Sequence, residues 1–304
     1  MTAPAWSVVV PTFNRPQSVK ACVAALARLQ PPEGGYEIII VNDGGIEPDA
    51  AVQAAARAGN AVSARFLTRA NGGPGAARNT GVAAATGHWL AFTDDDCQPA
   101  PDWLLALERG LRAAPDALVG GTVVNGLGGN LLSEASQCLA TFVMSWFDGA
   151  RHERFFTSNN IAVARTVFLD AGGFSEGFGT AGEDRELCDR WSAQGRASVV
   201  ADDAVVSHSH ALSPRSFLRQ HFEYGRGARI FRAVRREAGR PVRINATFYL
   251  ASLRHALRDR PVVTGIALGL LTGVAHVAYA AGLAREACRR GPRPAGPRLT
   301  APLA

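Results

Sequence analysis

Three short runs constrain this chain more than any other feature: SVVVP (Ser7 to Pro11), YEIIIVND (Tyr36 to Asp43) and HWLAFT (His88 to Thr93). Each is apolar almost throughout. A strand with one wet face alternates polar and apolar side chains, and a strand with no wet face does not. These runs therefore read as strands of a sheet covered on both sides. Between them lie segments of helical character. Residues 14–29 carry Pro16 near the first turn and Val19, Val23 and Leu26 on one side; residues 49–58 are rich in alanine; residues 71–87 form a glycine loop that runs into a helix. A further strand is expected over 61–68. Alternation of this kind predicts an α/β fold with a mostly parallel central sheet flanked by helices.

In such sheets ligands bind beyond the carboxyl ends of the strands. Asn14, Asp43 and the run Asp94-Asp95-Asp96 all fall just past strand ends. Adjacent carboxylates resist ionising together, and a hard divalent cation reverses that, so the acidic run reads as a site for Mg²⁺ or Mn²⁺ and a phosphate group. After Trp103 the pattern changes to a helix (104–114), a strand (117–124), a glycine loop, an apolar helical stretch (131–147) and short elements with polar residues at their turns. In GEDRELCDRW, Gly182 is a hinge, Glu183 and Asp184 open a helix, and Leu187, Cys188 and Trp191 form its apolar side. A carboxylate in the first turn is held as an anion by the helix amides. His208 and His210 lie two apart after the strand DAVVS, where two such side chains point the same way.

Charge divides the chain. Of its net +6, residues from Ala211 onward hold 17 Arg and 4 acids, or +13, which leaves −7 for residues 1–210. A basic tail on an acidic body is expected to meet an anionic surface. The five cysteines form no CxxC pair, so a zinc knuckle is not expected. The N-terminal segment has no signal-peptide pattern, so a cytoplasmic body is the expectation. Residues 261–284 carry no charge over about the 20 residues a bilayer span needs. They are also rich in Ala and Gly, with arginines beyond both ends. A pair of interfacial or packed helices is the expectation there. The Pro/Arg-rich end, 291–304, is expected to be disordered.

From Ser7 to Gly227 the chain resembles the family 2 glycosyltransferases, of the GT-A nucleotide-diphospho-sugar transferase fold. The resemblance rests on VVVPTFNRP, EIIIVNDG, NGGPGAARNTG, FTDDDCQPAPDWL, GGFSEGF, GEDRELCDRW and SHSHALS, in that order. It implies a transferase domain over 1–227, with a nucleotide-binding half to about 103 and an acceptor half from about 104, followed by basic and apolar helices over 228–290. Pro11, Thr12 and Asn14 would line the nucleotide pocket, Asp43 would hydrogen-bond the base, and Arg78 and Asn79 would face the nucleotide. Asp94-Asp95-Asp96 looks like the DxD element: Asp94 near ribose or metal, Asp96 as the direct metal ligand, with Asp95 the alternative. His208, or else His210, would complete the metal shell. Asp184, beside Glu183, would be the general base of an inverting transfer to an acceptor hydroxyl. Gly173, Phe174 and Trp146 could floor the acceptor site. The implied partners are a nucleotide-diphospho-sugar donor and a glycan or lipid-linked acceptor of the cell envelope. The basic helices would touch the inner face of the cell membrane; nucleic acid is not an expected partner.

Rival functions lack matching residues. A nucleotidyltransferase shares the sheet and metal but has no use for a late Glu-Asp pair, and a non-catalytic sugar-nucleotide-binding module has none for Asp184. A dehalogenase-type phosphatase keeps its nucleophile after the first strand, where this chain has PTFNRP. Processive polymerases carry QxxRW, and the corresponding FLRQHFEYGRGARIF has no such tryptophan.

Overall fold

A computed structural model describes residues 4–47, 63–151, 154–179, 181–242 and 244–289. The helix expected at 49–58 and the tail from 291 lie outside the described residues. An eight-stranded sheet runs in the order β3-β2-β1-β4-β7-β6-β8-β5. Its strands are β1 (Trp6–Thr12), β2 (Tyr36–Asn42), β3 (Ser63–Thr68), β4 (Trp89–Phe92), β5 (Cys97–Pro99), β6 (Leu118–Asn125), β7 (Ile161–Ala164) and β8 (Ser198–His208). The parallel character expected from sequence holds for β3-β2-β1-β4 and for β6 with β8. β7 runs antiparallel to β4 and β6, and β5 antiparallel to β8. The second half of the sheet is therefore mixed.

The helices are α1 (Pro16–Leu26), α2 (Pro74–Ala84), α3 (Trp103–Ala113), α4 (Leu131–Arg151), α5 (Arg165–Asp170), α6 (Glu183–Ala193), α7 (Pro214–Glu237), α8 (Ala246–Leu257) and α9 (Val262–Ala287). Every residue of β1 and β2 is buried, because helices cover both faces. Val8 and Val10 point one way, into a cluster with Val19, Val23 and Leu26 of α1 and Leu104 and Leu107 of α3. Val9 points the other way, to Ala77 and Val82 of α2 and Leu187 and Trp191 of α6. The strand period of two thus assigns alternate residues to two separate cores.

One charge sits inside this sheet. Glu37 of β2 accepts from Ser7 Oγ (2.6 Å), from Thr86 N (2.8 Å) and Oγ1 (2.7 Å), and from Arg65 Nη2 (2.5 Å). Burial works to raise its pKa, but these donors prevail and hold it below the usual carboxylate value.

The run at 261–284 is one unbroken helix, not a pair. α9 spans 26 residues and is long and apolar enough to cross a membrane by length and composition. Two of its glycines, Gly265 and Gly282, serve close contact. A Cβ on Gly282 would lie 2.0 Å from the Phe222 carbonyl oxygen, and one on Gly225 would lie 2.0 Å from that of Tyr279. Only glycine lets α7 and α9 cross this closely. Behind the crossing, Ala135 and Cys138 of α4, Phe217 of α7, Ala256 of α8 and Leu268 and Ala275 of α9 form one apolar cluster.

Candidate active site

The acidic run leaves the end of β4 beside the end of β1. Asp95 is 3% exposed, and its Oδ2 accepts from Thr12 Oγ1 at 2.7 Å. Asn14 adopts a left-handed conformation (φ 57°). The Arg15 guanidinium reaches across to Asp95 (3.2 Å) and Asp96 (2.7 Å). Burial, working against Arg15, pushes the Asp95 carboxyl up to about 7. Asp96 Oδ1 lies 3.2 Å from His208 Nε2, which the antiparallel pairing of β5 with β8 delivers. Burial acts to raise Asp96, yet the hydrogen bond and charge of His208, helped by Arg15, hold it well below the usual range. His208 is raised in turn: burial opposes its charge, and Asp96 outweighs that. His210 stacks on His208 at 4.0 Å and is pushed down to about 4 by burial and by its neighbour.

Asp96, Cys97 and His208 place one potential metal-ligating atom each within 4.8 Å of one another. The carboxylate suits Mg²⁺ or Mn²⁺, and the imidazole tilts the choice towards Mn²⁺. The Cys97 sulfur is the poorest ligand of the three, since a thiolate is soft where these ions prefer oxygen, and it already accepts from Asn159 Nδ2 at 3.6 Å. The donor set at this strand end therefore fits a divalent ion on Asp96 and His208, with the carboxylates of Asp94 and Asp95 alongside. A cavity of about 230 Å³ opens next to Asp96, lined also by Gln17, Ser18, Cys22, Gln98 and Ser209.

The late Glu-Asp pair arrives at the same place. Arg78, 2% exposed, donates from Nη2 to Asp94 Oδ1 (2.5 Å) and from Nη1 to Glu183 Oε1 (2.8 Å). A single buried guanidinium thus ties the end of β4 to the first turn of α6. Gly182, at φ 105°, supplies the turn into that helix, a conformation that favours glycine. Asp184 is half-buried; its Oδ1 accepts from the Arg185 amide at 2.7 Å, and the backbone of Ser158 also hydrogen-bonds it. Burial first, and the charge of Glu183 second, push its carboxyl up to about 7. Tyr224 of α7 lies within electrostatic reach of Asp184, Asp96 and Asp94, so α7 overlooks the same cleft.

The other expected residues have partners within the chain. Asp43 is buried and spends its oxygens on Arg69 (2.6 Å) and the amides of Gly72 (3.1 Å) and Gly73 (2.7 Å), which shapes the glycine loop. Asn79 clamps the backbone of Phe174 from both sides, at 2.9 and 3.0 Å, and donates to Glu176 at 3.0 Å. The Phe174 ring is fully buried between Phe92 and Phe168, and Gly173 is buried with it, so neither offers a surface to an acceptor. Trp146 packs on Phe142 and on Phe248 of α8. Pro11 is buried at the end of β1, and the side-chain oxygen of Asn14 accepts from the Ile46 amide at 2.9 Å. Arg15, Ser158 and Tyr224 were not singled out from sequence. Only the R of FNRP, one place after Asn14, offered a signal.

A family model described as glycosyl transferase family 2 matches residues 7–174. The glycosyltransferase AglE of Haloferax volcanii is 27% identical over 235 residues, covering 74% of this chain and 73% of that protein. The pre-mycofactocin glycosyltransferase of Mycobacterium tuberculosis is 28% identical over 234 residues, 73% of this chain but 46% of its own length, so the chain spans about half of that relative. Among solved structures, the mannosyltransferase PcManGT of Pyrobaculum calidifontis, in complex with GDP-Man and Mn²⁺, superposes with a TM-score of 0.59 at 18% identity, over 96% of this chain and 77% of the other. S. aureus TarS 1-349 in complex with UDP-GlcNAc does so at 0.50 and 16%, over 92% and 89%. These structural likenesses show the GT-A fold. The family match covers more than half of the 304 residues and takes in the strand-end carboxylates and the arginine that secures them, so the chain belongs to glycosyl transferase family 2 and is a glycosyltransferase.

Proposed function

We propose that the protein moves a sugar from a nucleotide-diphosphate donor to an acceptor hydroxyl with inversion at the anomeric carbon, with Asp184 as general base. The observation that carries this reading is the Arg78 bridge. It holds Asp94, on the donor side, and Glu183, next to Asp184, in one cleft. A divalent cation held by Asp96 and His208, with Asp94 beside them, would supply positive charge to the donor diphosphate. Every other task falls to side chains. Thr12 and Arg15 fix the carboxylates of Asp95 and Asp96. Arg78 fixes the first turn of α6. Asp184 takes the proton of the acceptor hydroxyl as its oxygen attacks from the side opposite the leaving group. With no second nucleophile in the scheme, one displacement inverts the configuration.

Nucleotide-sugar donors are named with the structural neighbours, GDP-Man for PcManGT and UDP-GlcNAc for TarS, which supports the donor class here and not a particular sugar. The acceptor we propose is a lipid-linked or cell-envelope glycan, met at the inner face of the membrane through the basic C-terminal helices. The test is to incubate the protein with Mn²⁺ and a panel of nucleotide sugars. Slow release of nucleoside diphosphate is expected, while release of nucleoside monophosphate with sugar 1-phosphate would point to nucleotidyl chemistry instead. Asp184→Asn should keep the donor-induced rise in melting temperature and lose transfer. Transfer retained by that variant removes the base assignment.

A further inference from the structure

α9 presents its side chains the opposite way from a helix of a water-soluble surface. Its buried face is made mostly of small residues: Gly265, Leu268, Thr272, Ala275, Ala278 and Gly282. Its exposed face carries the large apolar ones. Val263 is 81% exposed, Ile266 51%, Leu270 69% and Val277 71%. Val274, Ala280, Ala281 and Ala284 continue the stripe, and no charge interrupts it from Val262 to Ala284. Leu250 and Leu257 of α8 are exposed as well. A contiguous apolar face of this length on a soluble protein marks an interaction site.

The packing of α9 decides how that face is used. The helix touches the rest of the chain along its whole length. Near its start, Gly265 lies against Leu257 and Leu268 joins the α4 cluster. Midway, His276 hydrogen-bonds Ser252 at 2.8 Å. Near its end, Gly282 meets Phe222, and Glu286 pairs with Arg226 at 2.8 Å. A helix fastened to the catalytic body at both ends cannot thread a bilayer without drawing Arg226, Glu223 and Glu286 of the α7 crossing into hydrocarbon, a costly burial. In-plane insertion into one leaflet meets no such obstacle, and the domain itself takes the place of the polar face that an interfacial helix normally carries.

Charge selects the occupant. Arg254 and Arg258 stand exposed at one end of the stripe, with Asp259 paired to Arg258 at 3.1 Å, and Arg285 and Arg289 at the other, with Glu286 3.7 Å from Arg289, so each end keeps a surplus of positive charge. Two copies packed stripe to stripe would set arginines against arginines whether the helices ran parallel or antiparallel. An anionic headgroup layer meets both ends favourably. We propose that the outer face of α9 is a monotopic membrane anchor: Val263, Ile266, Leu270, Val274 and Val277 insert into a single leaflet of an anionic bilayer, with the flanking arginines at headgroup level. The proposal rests on the reading above only in taking membrane contact as part of the function. It adds that the contact is apolar insertion rather than charge attraction alone, and that no span exists. Because α9 backs directly onto α7, which overlooks Asp184, the cleft then stands at the bilayer surface.

Flotation of the full chain on phosphatidylcholine vesicles, with and without phosphatidylglycerol, tests this. Binding should be strong with the anionic lipid and only partly reversed by salt. Leu270→Glu with Val277→Glu, both on the open face, should lower vesicle partitioning at least about a hundredfold, since each buried side chain of this size is worth roughly 1.5–3 kcal/mol and 1.4 kcal/mol is tenfold. Donor hydrolysis by the double variant should be unchanged. For topology, Cys288 and an introduced Arg258→Cys flank the helix. Both should react with an impermeant maleimide added outside sealed vesicles. Protection of one of the two would establish a span and overturn the proposal. So would absence of vesicle binding, full release by salt, or light scattering that shows the stripe closed in a dimer. A chain that floats but hydrolyses no nucleotide sugar would overturn the transferase reading and leave the anchor standing.

Discussion

Asp184 is the residue whose environment makes the sharpest demand on solution conditions. With its carboxyl raised to about 7, it is protonated and unable to accept a proton below that pH. Transfer should therefore climb as pH rises and level off above about 7, and a pH–rate profile measures this. The stability sign is opposite to that of a salt-bridged acid. The folded chain keeps a proton that the unfolded chain has already lost, so this group's contribution to stability falls as pH rises from the ordinary carboxyl range to 7. Asp184→Asn should flatten that fall in denaturant midpoint against pH; an unchanged dependence would assign it to another group. Arg78 invites a second test. Arg78→Met leaves Asp94 and Glu183 without their shared cation, which should cost about 3 kcal/mol or more in denaturant unfolding. Arg78→Lys keeps the charge but not the two-armed bridge, so it should fall between. The acids at 94–96 and the pair at 183–184 were legible in sequence because carboxylates at a strand end or a helix start have no packing role to explain them. The partners of Arg78 were not, since a sequence does not say which of several acids an arginine will reach. Phe174 was misread for a related reason: a Gly-Gly-Phe turn does not reveal whether its ring points in or out.

Among the elements, β1 and β2 test how a sheet buried on both faces tolerates a charge. Glu37→Ala would leave Ser7 and Thr86 without an acceptor and Arg65 with the Ala84 carbonyl alone, and we expect a loss of about 2 kcal/mol in urea unfolding. Because the folded pKa of Glu37 is depressed, this stabilisation is present above the unfolded carboxylate pKa and lost as pH falls through the folded value. The Ala variant should therefore lose less relative stability in acid than at neutrality. The continuously apolar strands were legible because full burial removes the alternation that would make them ambiguous. β5 was not: three residues carry no period, and this strand exists because Ser207 and His208 offer it a ladder. α9 was read as two helices because glycine counts against helix locally, whereas here the crossing with α7 outweighs that preference.

At the scale of the whole molecule, one eight-stranded sheet carries a helical flank. Gly225→Val tests the junction of that flank. The added side chain would meet the Tyr279 carbonyl at a point where no rotamer can avoid it, and the helices must part. A loss of about 1–3 kcal/mol in thermal or denaturant unfolding is expected from the overpacking. An unaltered midpoint would mean the crossing is looser than described. The order of strands also has a consequence for how the chain is made. β4 pairs with β1, which precedes it, and with β7, which comes much later. While a ribosome is still making residues beyond 92, the nascent N-terminal part carries an open, apolar strand edge that nothing yet covers. That edge closes only when Ile161–Ala164 emerges, so a cell holding the half-made chain faces its greatest risk of misassociation during that interval.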